Sequence, residues 1–206
     1  MTIGTASLQF QFKGHRNYVQ GTDIYSKINQ VILKDTDCHL AKLKFIELLR
    51  FNAIFLWDQD GLGLTDKISP CATGEIYLKT GCTQSFKIVP DTHSKISDRS
   101  DYQEDQITSK LSIDQKHVFL NDLTGFSLIE EVVASIKHFS NLIVPPKTGK
   151  WLFAGIQLKE SMPASRDYGQ ALKVVQRQIV ANRFSKNDFY LGDKAYGTIE
   201  FTIGEV

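Results

Sequence analysis

The sequence predicts an α+β fold of two tandem units, each an antiparallel sheet wrapped around one long helix. Three observations lead to this prediction. The chain of 206 residues contains an internal repeat, each half has the pattern of a strand, a helix and then several strands, and a polar segment separates the halves. Because an amphipathic helix must bury its apolar stripe against another element, each half can build its own core from its helix and sheet.

The internal repeat is a series of similar segments that follow one another in the same order in both halves. Identical or similar residues pair when the following segments are aligned: 10–32 with 111–133, 43–45 with 151–153, and 72–81 with 195–204. Matches in a shared order indicate two copies of one structural unit. We therefore predict a first unit at 1–91, a polar linker at 92–106 and a second unit at 107–206.

The composition limits the classes of function. A net charge of +1 does not predict a nucleic-acid surface, which needs concentrated basic residues. The three cysteines, Cys38, Cys71 and Cys82, have no CxxC spacing, so neither a disulfide framework nor a metal site is predicted. The apolar runs are shorter than the roughly 20 residues of a membrane span, and the N-terminus has no signal pattern. The expected location is the reducing cytoplasm.

In the first half, the pattern changes from a strand to a helix. Residues 8–12 alternate between apolar and polar, which predicts a strand with one buried face. From Asp23 the apolar residues recur at helical spacing, and either Thr22 or Asp23 is placed to accept the free N–H groups of the first turn.

The helix of the second half has the clearer pattern. It begins near Gly125 and extends for about four turns, which end at the proline-containing loop 144–149. Ser127 and Glu130 have the spacing of a capping box. The apolar stripe consists of Phe126, Ile129, Val132, Val133, Ile136 and Phe139. At about 100° per residue, Glu130 falls beside this stripe and Glu131 points away from it toward solvent.

After each helix, the sequence predicts strands only. The predicted strands are 43–49, 53–57, 75–79 and 86–89 in the first unit, and 150–158, 174–181, 188–191 and 197–203 in the second. Residues 191–197 have the composition of a turn between the last two strands.

This order of elements resembles the hotdog fold, and two copies in one chain resemble a double hotdog. The resemblance implies an internal pseudo-dimer, with a higher oligomeric state left open. It also implies a substrate or ligand that is an acyl thioester of coenzyme A or of acyl carrier protein. The implied reactions are dehydration of a 3-hydroxyacyl group or thioester hydrolysis. Beyond the coenzyme A or phosphopantetheine carrier of the substrate, no cofactor and no metal are expected.

The loop before the first helix carries the motif that resembles the family most. Gly14-His15 resembles the Gly-His that opens the active-site loop of acyl-carrier-protein dehydratases, and with Asn17 it resembles the Gly-His-x-Asn of one thioesterase group. His15 is therefore the first candidate for catalysis, and a solvated turn histidine is the alternative. Arg16 and Asn17 are candidates for substrate binding, with Arg16 contacting a phosphate of the carrier.

A carboxylate is the expected partner of a catalytic histidine, because dehydration needs both a base and an acid. Double-hotdog dehydratases take the histidine from the first unit and the carboxylate from the second. Glu130 is the first candidate and Asp122 the next, while a capping role explains Glu130 without any chemistry. His117 is a candidate by its position next to the equivalent of His15, with a histidine at a strand end as the alternative. A non-catalytic acyl-binding or assembly protein is the second functional hypothesis.

Overall fold

The computed structural model describes residues 3–32, 38–58 and 69–206. These residues form two compact units, which divide the chain between Tyr102 and Gln103. Each unit contains an antiparallel sheet and one long helix.

The first unit has a five-stranded antiparallel sheet with the strand order β1-β4-β6-β5-β3. Its strands and helix are β1 Ile3–Leu8, β2 Phe12–Lys13, α1 Gly21–Ile32, β3 Cys38–Phe45, β4 Phe51–Asp58, β5 Ala72–Leu78, β6 Thr83–Lys95 and β7 Arg99–Ser100. The short strands β2 and β7 form a separate parallel pair. The helix packs against β3 and buries an apolar stripe that includes Ile24 and Ile28.

The strand predicted at 8–12 is wrong, because β1 ends at Leu8 and a separate strand begins at Phe12. The interruption coincides with a contact to a residue that is distant in the sequence. The main-chain N–H of Phe10 donates a hydrogen bond of 2.8 Å to Oδ1 of the buried Asn52, so a side chain takes the place of a ladder partner. The predicted cap of the first helix also differs. Since α1 begins at Gly21, Thr22 and Asp23 lie inside its first turn.

The second unit has a six-stranded antiparallel sheet with the strand order β10-β13-β12-β11-β9-β8. Its elements are α2 Asp105–Thr108, β8 Ser112–Asp114, β9 His117–Leu120, α3 Leu128–Ile143, β10 Lys150–Leu158, β11 Leu172–Val180, β12 Phe184–Leu191 and β13 Lys194–Gly204. The strands β11, β12 and β13 follow one another as neighbours, and β13 then pairs with β10.

Helix α3 is the core of the second unit. It has 16 residues, which matches the predicted four turns, and it ends before the proline-containing loop as expected. It packs against β9, β10, β11 and β12. Ile129 and Phe139 are almost fully buried in this contact. The sheet therefore covers the apolar face of the helix, as the sequence pattern predicts.

Most predicted strands occur in the structure with shifted ends. The strand predicted at 150–158 has those bounds, whereas the one predicted at 43–49 occupies 38–45 and the one at 188–191 begins at Phe184. The segment 92–106, for which a polar linker is predicted, contains the end of β6, all of β7 and the start of α2. Within the described ranges, no helix combines the length and the apolar character that crossing a membrane requires.

Candidate functional site

The first pre-helix loop, residues 14–20, begins with a tight turn that carries His15. The turn is closed by the N–H of Arg16, which donates to the carbonyl of Lys13 at 3.3 Å. Gly14 has a φ of +56°, a left-handed conformation that glycine adopts without a steric penalty. The side chain of His15 is exposed. The turn therefore presents the imidazole to solvent.

Hydrogen bonds in and around the β2–β7 pair hold this turn. The N–H of Phe12 donates to the carbonyl of Asp98, and the N–H of Gly14 donates to the carbonyl of Ser100, both at 2.9 Å. Arg99 lies between these two acceptors, and its Nη1 donates to the carbonyls of Gly14 and Arg16. The segment after β6 thus fixes the main chain of the turn.

Two cations of the turn lie over one aromatic ring. The Lys13 ammonium is 5.2 Å and the Arg16 guanidinium 5.4 Å from the centroid of Tyr102. Lys13 also forms an ion pair of 2.6 Å with Asp23, in the first turn of α1. The ion pair and the cation–π contacts tie the turn to the helix that follows it. Arg16 is thereby held beside His15, while Asn17 is exposed.

The second pre-helix loop, residues 121–127, is bound by an arginine that the sequence did not indicate. Arg166, from the connection between β10 and β11, donates through Nε to Oε2 of Glu131 at 2.6 Å and through Nη2 to Oε1 at 3.1 Å. It also donates to the main-chain carbonyls of Leu120, Asp122 and Gln170. Both side chains of the ion pair are buried, with 0% and 2% exposure.

The orientation predicted for Glu131 is therefore wrong. The prediction places Glu131 nearly opposite the apolar stripe, but the buried side of α3 also extends over Leu128, Glu131 and Ser135. A buried carboxylate is stable there because a buried guanidinium faces it in bidentate geometry.

The capping role of Glu130 is confirmed. Its Oε2 accepts hydrogen bonds from the N–H of Ser127 at 3.1 Å and from the Ser127 hydroxyl at 2.6 Å, and the two residues form a capping box. This interaction satisfies main-chain donors at the start of α3. The carboxylate predicted to act in catalysis is thus part of a helix cap.

The other two candidates of the second unit lie in different surroundings. His117 is the first residue of β9, opposite Val175 in β11, and its ring contacts that of Phe119. It alternates with the buried Val118, so it points to the outer face of the sheet. Asp122 has an exposed side chain, and its main-chain carbonyl accepts a hydrogen bond of 2.6 Å from Nη2 of Arg166.

Arg16 lies on the same turn as His15, whereas His117 points away from the interior of its unit. It adds Lys13, Arg99 and Tyr102 to the first pre-helix loop. The Gly-His motif indicates the position of this loop, but no local pattern indicates a contact with residues near position 99. Among the residues that the structure describes, no group of three or more His, Cys, Asp or Glu side chains is arranged to hold a metal ion.

Comparison with solved structures identifies the fold. A dehydratase domain of a trans-AT polyketide synthase from Brevibacillus brevis matches 98% of this chain and 94% of its own, with 9% identity and a TM-score of 0.54. The dehydratase domain of PpsC from Mycobacterium tuberculosis, solved with C12:1-CoA, matches 98% of this chain and 93% of its own, with 8% identity and a TM-score of 0.51.

A third similar structure is a TesB protein. The TesB protein of Mycobacterium avium subspecies paratuberculosis matches 97% of this chain and 93% of its own, with 8% identity and a TM-score of 0.51. No family model and no curated protein sequence matches the chain. These structures are hotdog-fold proteins, so the hotdog-like fold suggested by the order of elements is confirmed.

Proposed function

We propose that this protein binds acyl thioesters of coenzyme A or acyl carrier protein at the first pre-helix loop, and that it acts on them as a 3-hydroxyacyl dehydratase or a thioesterase. The observation that supports it most is the exposed His15 on a turn whose main chain is held by hydrogen bonds, in the loop that precedes a hotdog helix. The similar solved structures are dehydratase domains and a TesB protein, one of them bound to an acyl-CoA.

The chemistry follows from the positions of the groups. In a dehydration, His15 removes the proton beside the thioester carbonyl, the 3-hydroxyl group takes a proton from an acid and leaves as water, and the C2–C3 double bond forms. In a hydrolysis, His15 removes a proton from the attacking water, which displaces the carrier thiol from the carbonyl carbon. Helix α1 begins at Gly21, so the positive N-terminal end of its dipole stabilises negative charge that develops on the carbonyl oxygen. Arg16 contacts a phosphate of the carrier, and Asn17 lies on the same turn to contact its pantetheine arm.

A specific observation supports the alternative, a non-catalytic acyl-binding or assembly protein. In the second unit, Glu130 forms the helix cap and Glu131 is neutralised by Arg166. The remaining carboxylate candidate of the second unit is Asp122, whose side chain is exposed. Under this alternative the chain keeps acyl-thioester binding at the first loop and has no turnover.

Turnover assays on a panel of acyl-CoA and 3-hydroxyacyl-CoA thioesters separate the two functions. If His15 is the general base, His15→Ala lowers kcat by about 10²- to 10⁴-fold, the usual contribution of such a group. The matched control is His93→Ala, which removes another exposed histidine of the same unit. Binding without turnover supports the alternative, and neither binding nor turnover contradicts both.

The same turnover assay identifies the carboxylate that acts as the acid. We expect Asp122→Asn to lower kcat if Asp122 is the acid, whereas Glu130→Gln keeps an oxygen that can accept the Ser127 N–H and so preserves the cap. A loss of turnover in Glu130→Gln at unchanged stability assigns the acid to Glu130 instead.

A further inference from the structure

Arg99 binds the main chain on both sides of His15. Its Nη1 donates to the carbonyl of Gly14 and, at 2.8 Å, to the carbonyl of Arg16. The guanidinium lies over the ring of Phe12, 5.4 Å from its centroid. Phe12 and Arg99 are also register partners in the parallel β2–β7 pair. The guanidinium is thus held by its own strand, by the ring and by the two carbonyls.

These contacts determine the orientation of the backbone at His15. The peptide group between Gly14 and His15 is held through its carbonyl by Arg99. The next peptide group is held through the N–H of Arg16, which donates to the carbonyl of Lys13 at 3.3 Å. Because peptide groups are planar, fixing both of them fixes the direction of the Cα–Cβ bond of His15. The exposed imidazole depends on this main-chain geometry for its direction.

We propose that Arg99 is a positioning residue for His15, which holds the turn in the conformation that directs the imidazole toward the thioester. The relevance of Arg99 to turnover rests on the proposed function, whereas its effect on the His15 backbone does not. Arg99 acts through the main chain that carries His15 and not by contact with the reacting atoms of the substrate. A misplacement of about 1 Å by a residue away from the chemistry can lower a rate by about 10²-fold, so the effect is measurable.

The first test does not use activity. The three-bond coupling between the amide proton and Hα of His15 reports its φ, and we expect a conformationally averaged value in Arg99→Ala. Added guanidinium chloride at low millimolar concentration should restore the wild-type value, and Arg99→Lys, which keeps a cationic N–H donor, should restore part of it. The matched control is Arg183→Ala, which removes an exposed arginine of the second unit. An unchanged coupling in Arg99→Ala overturns the proposal.

The second test uses the substrate that the thioester panel identifies. We expect Arg99→Ala to lower kcat by about 10- to 100-fold with KM changed by less than about two-fold, because orientation and not binding is lost. In the His15→Ala background, Arg99→Ala should have no further effect, since Arg99 acts through His15. A changed coupling with an unchanged kcat overturns the positioning role. If wild-type protein has no turnover, the proposed catalysis fails and the coupling alone decides whether Arg99 holds the turn.

Discussion

Arg166 and Glu131 form a buried bidentate ion pair that joins the start of α3 to the connection between β10 and β11. Two hydrogen bonds of 2.6 and 3.1 Å link the guanidinium to the carboxylate. The hydroxyl of Thr124 donates to the same carboxylate at 2.7 Å. The remaining guanidinium donors bind main-chain carbonyls, including that of Asp122 at 2.6 Å. The Arg166 side chain thus donates hydrogen bonds to acceptors on a helix, at a strand end and in two loops.

Breaking this pair should strongly destabilise the second unit. We expect Arg166→Met to lower the free energy of unfolding by about 3–5 kcal/mol, because it leaves a buried carboxylate without its partner. The double variant Arg166→Met with Glu131→Leu should be less destabilised than the sum of the single variants. Denaturant-induced unfolding measures the free energy of unfolding of each variant. The control is Lys186→Met, which removes an exposed pair of 3.9 Å with Glu200 and should cost about 0–1 kcal/mol. A loss below about 1 kcal/mol in Arg166→Met contradicts the assignment.

The apolar face of α3 gives a second stability prediction. Ile129 is 2% exposed in the contact between this helix and its sheet, so Ile129→Ala should lower the free energy of unfolding by about 2–5 kcal/mol through the cavity it leaves. Leu142→Ala on the same helix is the control, because Leu142 is 60% exposed. Equal losses in the two variants would contradict the observed packing.

The cysteines should differ in reactivity. Cys82 is exposed, whereas Cys71 is buried and its thiol donates to the carbonyl of Ile88 at 3.4 Å. Burial, with a smaller effect of the Glu47 charge, raises the pKa of the Cys71 thiol to about 12. Since the thiolate is the reactive form, a disulfide reagent at pH 8 should label Cys82 first and Cys71 only on unfolding. Mass spectrometry of partly labelled protein locates the label, and early labelling of Cys71 contradicts its burial.

Stability should decrease at alkaline pH. Burial raises the pKa of Tyr25 from 10.0 to about 12, and that of Cys71 from 9.0 to about 12. Both groups stay protonated in the folded chain at a pH where the unfolded chain has lost the proton. Their contribution to the free energy of unfolding is therefore complete below about pH 9 and is lost as the pH rises toward 12. Tyr25→Phe should reduce the slope of the free energy of unfolding against pH between pH 10 and 12, whereas Tyr77→Phe, at an exposed site, should leave this slope unchanged. Equal slopes in wild type and Tyr25→Phe contradict the prediction.

Helix α3 and strand β10 could be predicted from the sequence because their patterns are local. Helix α3 has an apolar stripe along most of its length, and β10 is a run of mostly apolar residues, so both occur where the sequence places them. The break at Phe10 could not be predicted, because its cause is the side chain of Asn52 on another strand. The internal repeat stays a prediction about the origin of the two units.

The candidate site was predictable only in part. The Gly14-His15 motif indicates the loop and the exposed turn, but the β2–β7 pair has two residues on each strand, too few to show any period. Arg99 lies in a polar segment whose composition resembles a linker. The partner of Glu131 is also remote in sequence, so periodicity alone assigns that carboxylate to solvent. In each case the missing information is a tertiary contact.

The most direct test of the central proposal is to map the amide shifts caused by an acyl-CoA on isotope-labelled protein. Binding at the first pre-helix loop should shift the amides of Gly14, His15, Arg16 and Asn17 in a saturable manner, and Arg16→Gln should weaken the affinity. Free coenzyme A under the same conditions separates the effect of the carrier from that of the acyl chain. Saturable shifts confined to other segments, or no shifts at millimolar ligand, would contradict acyl-thioester binding at this loop.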